Sequence, residues 1–306
     1  MHKLVLIDTA NFLHRAFYAY PMVLTTSEGQ VINAVYGFAS MLAFLIKELN
    51  PTHLVCALES EKETVFREIE FPDYKATRVP KSPEEQAAYD SQFPLVLELL
   101  KAAGIRTLQA EGFEADDVIG TAARKTAPGT EVVVASNDRD LMQLIDGGVR
   151  FYLPAVGKGK AKFYGRKEFE EEYGFAPENL VDYKSLRGDP SDNIPGVRGI
   201  GDKTARDLIR TYGTLEQVYK HILEIRPAVA KKLADWKESA ELSHRLAKIS
   251  TAAPVEFTME ELKFKGLDNE EVLALFKEWN FKSLIEKIHG PPEEDTPEDK
   301  DQLKLL

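Results

Sequence analysis

EADDVIGTAARKTAPGTEVVVASNDRD, residues 114–140, is the most informative part of this 306-residue chain. Its first half has the apolar spacing of a helix, and residues 131–136 form an apolar run of the length of a buried strand. Carboxylates stand at the expected ends of both elements: Glu114, Asp116, Asp117, Asp138 and Asp140. Without cations, such a group in a cleft would repel itself strongly. The pattern therefore predicts a site for divalent cations, and oxygen ligands favour Mg²⁺ or Mn²⁺.

The alternation of strand and helix continues on both sides of this segment. Apolar runs predict strands at residues 3–7, 54–58, 105–108, 131–136 and Val149–Leu153, and helical periodicity predicts helices at Asn33–Leu49 and 93–103. This alternation indicates an α/β fold with a doubly wound, mainly parallel sheet. Ligands bind beyond the carboxyl ends of such strands. Because Asp8, Glu59 and Asp138 follow three predicted strands, we expect them to converge with Glu114 and Asp117 at one edge.

The segments outside this alternation differ in composition. Residues 62–92 are polar and contain three prolines, which indicates an arched or mobile excursion. From Pro177 onward the pattern changes to helices and turns, with Asp189 and Asp192 in the turn-rich loop 188–196. Residues 255–289 are expected to form a strand-and-helix annex. The acidic, proline-rich residues 291–306 contain no aromatic side chain and are expected to be disordered.

A glycine-rich turn precedes a helix predicted through Leu208. Gly199 and Gly201 leave backbone N–H groups unobstructed at the start of that helix, which suits a phosphate group. Lys203 and Arg206 follow within its first turns. The pattern is therefore typical of a phosphate-binding turn.

The composition excludes several classes of protein. No apolar run approaches the roughly 20 residues that span a bilayer, and Asp8 interrupts the N-terminal apolar run, so neither a membrane span nor a signal peptide is expected. A single cysteine, Cys56, excludes an internal disulfide and fits the cytoplasm. The net charge is −11, of which residues 291–306 carry −4. If bound cations neutralise the acidic cluster, this charge does not exclude a nucleic-acid partner.

Several ordered motifs resemble those of the 5′-nuclease family, which includes the 5′→3′ exonuclease domain of bacterial DNA polymerase I and the flap endonucleases. The motifs are Ile7-Asp8 followed by Arg15, Tyr74-Lys75-Ala76-Thr77-Arg78, Glu114-Ala115-Asp116-Asp117, Asn137-Asp138-Arg139-Asp140 and residues 188–196, GDPSDNIPG. Their order and spacing over residues 3–285 make the resemblance specific.

The resemblance implies a PIN-like sheet domain at residues 1–175 with an arch at about 62–92. A helix-hairpin-helix region would follow at 176–290. It implies that two or more Mg²⁺ or Mn²⁺ ions are held by Asp8, Glu59, Glu114, Asp116, Asp117, Asp138, Asp140, Asp189 and Asp192. Catalytic contacts to the phosphodiester are implied for Arg15, Tyr74, Lys75 and Arg78. DNA-backbone contacts, with K⁺ bound to main-chain carbonyls, are implied for Gly199, Gly201, Lys203, Thr204 and Arg206.

One position departs from the family pattern. Glu59 stands where the family has Asp, and Glu61 is an alternative ligand for the same ion. Our assignment places Asp8, Glu114, Asp116 and Asp138 on one ion. Asp140, Asp189 and Asp192 are placed on the other ion or on its waters.

The resemblance implies a two-metal hydrolase that removes 5′ flaps in replication and repair. Its substrates would be 5′ flaps, nicked or gapped duplex and RNA primers, and its partner a covalently or transiently linked DNA polymerase. The alternative is a flap-binding module of the same fold with weakened catalysis, which Glu59 motivates. An Asp-x-Asp phosphatase is disfavoured because Asp8-Thr9-Ala10 lacks the second acid.

The same residues also have purely structural interpretations, in which they bind no metal ion or DNA. Asp116 and Asp117 are typical of a helix N-terminus, Asp138 of an N-cap, and Asp189 and Asp192 of turns. The basic residues 158–167 fit a solvated hairpin as well as a DNA contact. Cys56 is expected to be an inert core residue.

Overall fold

A six-stranded sheet is formed by strands within residues 3–164. The computed structural model describes residues 2–60, 65–155 and 160–289. The strands are β1 (Lys3–Asp8), β2 (His53–Ala57), β3 (Arg106–Leu108), β4 (Glu131–Ala135), β5 (Val149–Leu153) and β6 (Lys162–Tyr164). Their order is β3-β2-β1-β4-β5-β6, and only β6 is antiparallel to its neighbour. The predicted, mainly parallel sheet is therefore confirmed.

Fourteen α-helices occur within the described residues. They are α1 (Thr9–Ala19), α2 (Asn33–Leu49), α3 (Phe66–Glu70), α4 (Pro83–Asp90), α5 (Phe93–Ala102), α6 (Ala115–Lys125), α7 (Arg166–Tyr173), α8 (Leu180–Arg187), α9 (Asp202–Tyr212), α10 (Leu215–Lys220), α11 (Pro227–Asp235), α12 (Lys237–Ala247), α13 (Glu270–Glu278) and α14 (Lys282–His289). Short 3₁₀ helices occur at Arg139–Leu144, Pro177–Asn179, Ile222–Glu224 and Glu260–Leu262. No helix of these ranges is both long and apolar enough to cross a membrane.

Both faces of the sheet are buried. Leu4 and Leu6 of β1 belong to a core shared with α6 and the later helices, whereas Val5 and Ile7 belong to a core shared with α1, α2 and α5. Successive side chains of a strand point to opposite faces, so a strand that is buried on both faces has a continuous apolar sequence. This is why residues 3–7 show no alternation of apolar and polar residues.

The strand order reverses at β1, which pairs with β2 on one side and with β4 on the other. The chain leaves β1 at Asp8, and it leaves β4 toward Asp138. Such a reversal opens a crevice at the carboxyl ends of the strands. The fold thus brings two of the predicted acids to the same crevice.

The later helices form two groups. Helix α8 packs against α9 and α12, on the face of the sheet that α6 covers. Helices α13 and α14 return to the opposite face, where Phe276, Trp279 and Phe281 join the core with α2 and α5. Residues 176–290, expected to form one region, therefore pack on both faces of the sheet.

The prediction of a strand within residues 255–289 is wrong. Lys263 makes one isolated antiparallel bridge to His53, and the rest of this part consists of a 3₁₀ helix, turns and two α-helices. The apolar residues Ala253 and Val255 pack into the core with α6 instead of pairing in a sheet. An apolar run alone does not distinguish these two outcomes.

The segment expected to form an arch is partly docked. Residues 65–92 contain α3 and α4, and Tyr74 between them is buried with Val181, Ile194 and Leu246. Other predictions fell on residues that lie outside the described ranges: Glu61, residues 62–64, Lys158 and residues 291–306. Of the basic run, Arg166 and Lys167 form ion pairs with Glu178 and Glu171.

Candidate metal centre

Asp8 is buried at the switch between β1 and α1. It is 5% exposed and caps α1, accepting a hydrogen bond from the Asn11 N–H at 3.0 Å. Its other oxygen accepts one from the Ser136 hydroxyl at 3.0 Å, and that hydroxyl accepts one from the Asp138 N–H at 2.9 Å. Burial, with the charge of Asp138 adding to it, raises the pKa of Asp8 to about 6. Ser136, which sequence reasoning missed, thus ties Asp8 to Asp138.

Asp116 and Glu59 lie in the same crevice. Burial raises the pKa of Asp116 well above its usual value, and the charges of Asp138, Asp8 and Glu114 raise it further. Glu59 accepts a hydrogen bond from the Ala115 N–H at 3.0 Å, at the start of α6. Glu59 is exposed by its accessible area, but desolvation of its carboxyl among the acids of the crevice, with the charge of Glu114 adding to it, raises its pKa to about 7. The departure from the family pattern therefore still places a carboxylate at this crevice.

Three groups of the segment 65–78 hold the Glu114 carboxylate. Arg67 Nη1 donates to Oε2 at 2.8 Å, the Tyr74 hydroxyl donates to Oε2 at 3.2 Å, and Lys75 donates to Oε1. Lys75 has left-handed backbone, with φ +58°, and its N–H donates to the Asp192 carbonyl at 2.9 Å. Arg78 Nη2 lies 2.7 Å from Asp192 Oδ1. Lys75 and Arg78, two side chains expected to be catalytic, thus contact Glu114 and Asp192, which were expected to bind metal ions.

A second group of acids surrounds Lys184, which sequence reasoning also missed. Lys184 is 7% exposed, and its ammonium donates to both Asp140 and Asp189. Burial raises the pKa of Asp140 to about 7, although Lys184 opposes this shift. Burial also acts on Asp189, but there Lys184 and Ser191 prevail and lower the pKa. The only signal in the sequence is a lysine placed among apolar residues of a helix that leads to Asp189.

Asp117 differs from the expectation that it holds an ion. Both of its oxygens accept hydrogen bonds from Arg67, at 2.7 and 2.8 Å. Oδ1 also accepts one from the Ser250 N–H at 2.7 Å, and Oδ2 one from the Glu114 N–H at 3.1 Å. Asp117 is fully buried, so these donors occupy the lone pairs that an ion would need.

Arg15 and Arg206 are both engaged by neighbours. Arg15 Nη1 donates to Asn137 Oδ1 at 2.8 Å, beside the carboxylates and not directly on them. Arg206 Nε lies 3.0 Å from both oxygens of Asp202, and its Nη1 donates to the Tyr173 carbonyl at 3.0 Å. Arg206, which was expected to contact DNA, thus makes its hydrogen bonds within the protein.

The glycine-rich turn leads into α9 as predicted. Gly201 is the N-cap of α9, while Lys203 is exposed and Thr204 half-buried. Gly199 has φ +82°, and its carbonyl accepts a hydrogen bond from Lys232 Nζ at 2.8 Å. An ammonium group therefore contacts one of the carbonyls at which K⁺ was expected.

The carboxylates suit hard cations by their chemistry. The acids of the crevice offer only oxygen, and desolvation together with their mutual charge raises the pKa values of Asp8, Glu59 and Asp116, which favours a bound cation. In the part of the chain that the structure describes, no three such side chains converge on a single ion position as they stand. Mg²⁺ binds proteins through one or two carboxylates and keeps several waters, so the donors fit such an ion.

A switch-point crevice lined with carboxylates is suited to an enzyme that works with divalent cations. Residues 3–174 match the family model of the 5′-3′ exonuclease N-terminal resolvase-like domain, and residues 175–270 match that of the 5′-3′ exonuclease C-terminal SAM fold. The chain belongs to the 5′-3′ exonuclease family. The resemblance noted in the sequence is thereby confirmed.

Matches to curated relatives cover nearly the whole chain. DNA polymerase I of Bacillus caldotenax is 44% identical over 96% of this chain, and that of Bacillus subtilis is 39% identical over 94%. The chain spans 33% and 32% of the lengths of these two polymerases. The 5′-3′ exonuclease of Aquifex aeolicus is 35% identical, and the match covers 94% of this chain and 96% of that protein.

Solved structures share the fold. T5 5′-exonuclease with bound divalent metal ions (zinc) has a TM-score of 0.65 at 21% identity, covering 82% of this chain and 90% of that one. The catalytic core of Rad2 in complex with a DNA substrate has a TM-score of 0.56 at 17% identity, covering 100% and 92%. These likenesses confirm the predicted fold class.

Proposed function

We propose that this protein is a structure-specific 5′→3′ exonuclease and flap endonuclease that hydrolyses DNA with Mg²⁺ or Mn²⁺. The observation that carries the proposal is the gathering of acids from separate segments at one crevice. Asp8 is the last residue of β1, Glu59 follows β2, and Asp138 follows β4, while Asp116 lies in the first turn of α6. Their mutual effects on pKa support a shared site.

Two groups of acids would hold the ions. Asp8, Glu59, Glu114, Asp116 and Asp138 form one group, and Asp140, Asp189 and Asp192 the other. Bound ions would supply a hydroxide nucleophile and neutralise the charge on the leaving oxygen. Asp117, whose oxygens are already occupied, orients Glu114 and Arg67 instead.

The basic side chains at the site, Lys75 and Arg78, would bind the phosphodiester. Lys75 and Arg78 contact Glu114 and Asp192, and ions bound there would compete for these carboxylates. The released ammonium and guanidinium groups can then stabilise negative charge on the phosphate. Tyr74 orients the same two carboxylates through its hydroxyl, and Arg15 orients Asn137.

The helical part of the chain would hold duplex DNA. Gly199, Gly201, Lys203 and Thr204 present backbone N–H groups and positive charge at the start of α9, a suitable surface for a phosphate backbone. Arg206 supports the surface through Asp202. K⁺ at the Gly199 carbonyl would require Lys232 to move away.

The biological setting is also part of the proposal. 5′ flaps, nicked or gapped duplex and RNA primers are the expected substrates, residues 62–92 the arch that admits a free 5′ end, and a DNA polymerase the expected partner. The polymerase relatives support the last point. A division near residue 175 is supported by the two family models, which meet there. The single, buried cysteine supports a cytoplasmic location.

Asp116→Asn tests the catalytic role of the cluster. The change removes charge from the site without changing its shape, so we expect flap cleavage in Mg²⁺ to fall at least about 100-fold. DNA binding, measured in Ca²⁺ by fluorescence anisotropy, should stay within about threefold of the wild type. No cleavage of a 5′-flap DNA by the wild-type protein in either Mg²⁺ or Mn²⁺ would refute the proposal.

The second candidate is a flap-binding module with weakened catalysis, which Glu59 favours. Glu59 is committed to the Ala115 N–H, an interaction that a shorter Asp would form less readily. Salt-dependent flap binding without turnover, together with a gain of cleavage in Glu59→Asp, would establish this candidate over the first.

A further inference from the structure

Arg67 is a buried arginine at the base of the segment 65–78. It lies in α3 and is 2% exposed. All five of its N–H donors are used: Nε donates to the Leu246 carbonyl at 2.9 Å, Nη2 donates to the Lys248 carbonyl at 2.7 Å, and the remaining three bonds go to Glu114 and Asp117. An arginine has five N–H groups, so none is left for another ligand.

These bonds join three parts of the chain that are distant in sequence. α3 belongs to the segment that supplies Tyr74 and Lys75, Glu114 and Asp117 stand at the start of α6, and Leu246 and Lys248 lie at the end of α12. A bidentate contact to Asp117 fixes the plane of the guanidinium group. Arg67 therefore has one orientation, set by partners on both sides.

That orientation fixes the Glu114 carboxylate. Nη1 of Arg67 lies 2.8 Å from Glu114 Oε2, and the other contact of Nη1, with Asp117, keeps it there. Oε1 is held by Lys75, whose side chain is more exposed than that of Arg67. The Glu114 oxygen nearest Arg67 is thus anchored, and the other oxygen is held by a movable cation.

We infer that Arg67 is a positioning residue that orients Glu114 for ion binding and couples that orientation to the end of α12. The inference rests on the proposed function, because it assigns a task within the proposed metal site. Groups that orient metal ligands typically change metal affinity or activity 10–100-fold when they are removed. Arg67 itself touches neither ion nor substrate in this scheme.

A surface ion pair provides a matched control. Arg245 of α12 contacts Glu70 of α3, with Nε and Oε1 2.6 Å apart. This pair also joins α3 to α12, but it is solvent-exposed and contacts no acid of the proposed site. Arg245→Gln therefore removes a link between the same two helices and leaves Glu114 untouched.

The experiment compares Arg67→Gln, Arg67→Lys and Arg245→Gln with the wild type. Mn²⁺ affinity is measured by electron paramagnetic resonance, and cleavage of a 5′-flap DNA in Mg²⁺ gives kcat and KM. We expect Arg67→Gln to weaken Mn²⁺ binding by about 10-fold or more and to lower kcat with little change in KM. Arg67→Lys keeps the charge and loses the bidentate geometry, so it should lie between Arg67→Gln and the wild type. Arg245→Gln should stay within about twofold of the wild type.

Thermal unfolding separates positioning from folding. Each variant is assayed well below its own midpoint, and Arg67→Lys provides the measurement if Arg67→Gln does not fold. Mn²⁺ affinity of Arg67→Lys equal to that of the wild type, or an equal loss in Arg245→Gln, would overturn the inference. A wild-type protein that binds no Mn²⁺ and cleaves no flap would instead refute the proposed function, and the inference with it.

Discussion

Two lysine side chains pair with acids of the crevice. Lys184 lies between Asp140 and Asp189, and Lys75 contacts Glu114. Burial disfavours a charged ammonium, yet the neighbouring carboxylates raise the pKa of both lysines, so each stays protonated. The neighbouring acids therefore have internal counter-ions even before a divalent ion binds.

Arg187 is an arginine beside the proposed metal site that could contact a DNA phosphate. It is exposed at the end of α8, beside Asp189 in a cavity of about 460 Å³ that also contains Asp138 and Lys184. Within the described ranges, no carboxylate lies within salt-bridge distance of Arg187, whereas Arg139 in the same cavity is paired with Glu172 at 2.7 Å.

We predict that Arg187→Gln weakens flap-DNA binding and lowers its salt dependence. Loss of one phosphate contact should reduce the slope of log K against log salt by about 0.9. The slope can be measured in Ca²⁺ by fluorescence anisotropy at several KCl concentrations. Arg166→Gln, which removes a surface arginine already paired with Glu178, is the control and should leave the slope unchanged. An unchanged slope in Arg187→Gln would remove Arg187 from the DNA path.

Among the elements, the turn 188–196 depends most strongly on glycine. Gly196 has φ +64°, and a Cβ there would lie 2.2 Å from the Gly188 nitrogen. The turn is closed by hydrogen bonds of 2.8 Å in both directions between Asp189 and Ile194. This close backbone packing holds Asp189 and Asp192 in position.

Gly196→Ala should therefore destabilise the protein and weaken the acidic site together. A left-handed backbone and a backbone clash both oppose the substitution, so we expect a loss of about 2 kcal/mol or more in the free energy of unfolding. Urea denaturation measures this loss. Gly147→Ala is the control, because a Cβ at Gly147 meets no atom within 4 Å. Equal stability of the two variants would show that the turn tolerates a side chain.

At the scale of the whole molecule, the acids of the crevice make stability depend on pH and on divalent ions. Burial raises the pKa of Asp8 from its usual 3.8 to about 6, and desolvation of the Glu59 carboxyl within the crevice raises its pKa from 4.5 to about 7. Between about pH 4 and pH 7 these two groups therefore bind more protons in the folded protein than in the unfolded chain, so their contribution lowers folding stability as the pH rises. The raised pKa values of Asp116 and Asp140 act in the same direction, whereas the lowered pKa values of His14 and His53 act in the opposite one.

We predict that in EDTA the midpoint of thermal unfolding falls between pH 4.5 and pH 7. Mg²⁺ should restore stability most strongly at pH 7, where the carboxylates are ionised and the ion binds the folded state. Differential scanning calorimetry at fixed ionic strength measures both effects. In Asp8→Asn the fall with pH should be smaller. A midpoint that rises over this interval in EDTA would contradict the assignment of raised pKa values.

Much of the architecture could be predicted from the amino-acid sequence. Continuous apolar runs indicated strands buried on both faces, and the acids at their ends, such as Asp8 and Asp138, indicated a ligand crevice, because strand period and chain direction are local properties. The side chains that pair with those acids could not be predicted from the sequence. Arg67 is separated by 50 residues from Asp117 and by 181 from Lys248, and Lys184 by 44 from Asp140. Such pairings arise only when packing brings remote segments together, and burial then makes each charge require a specific partner.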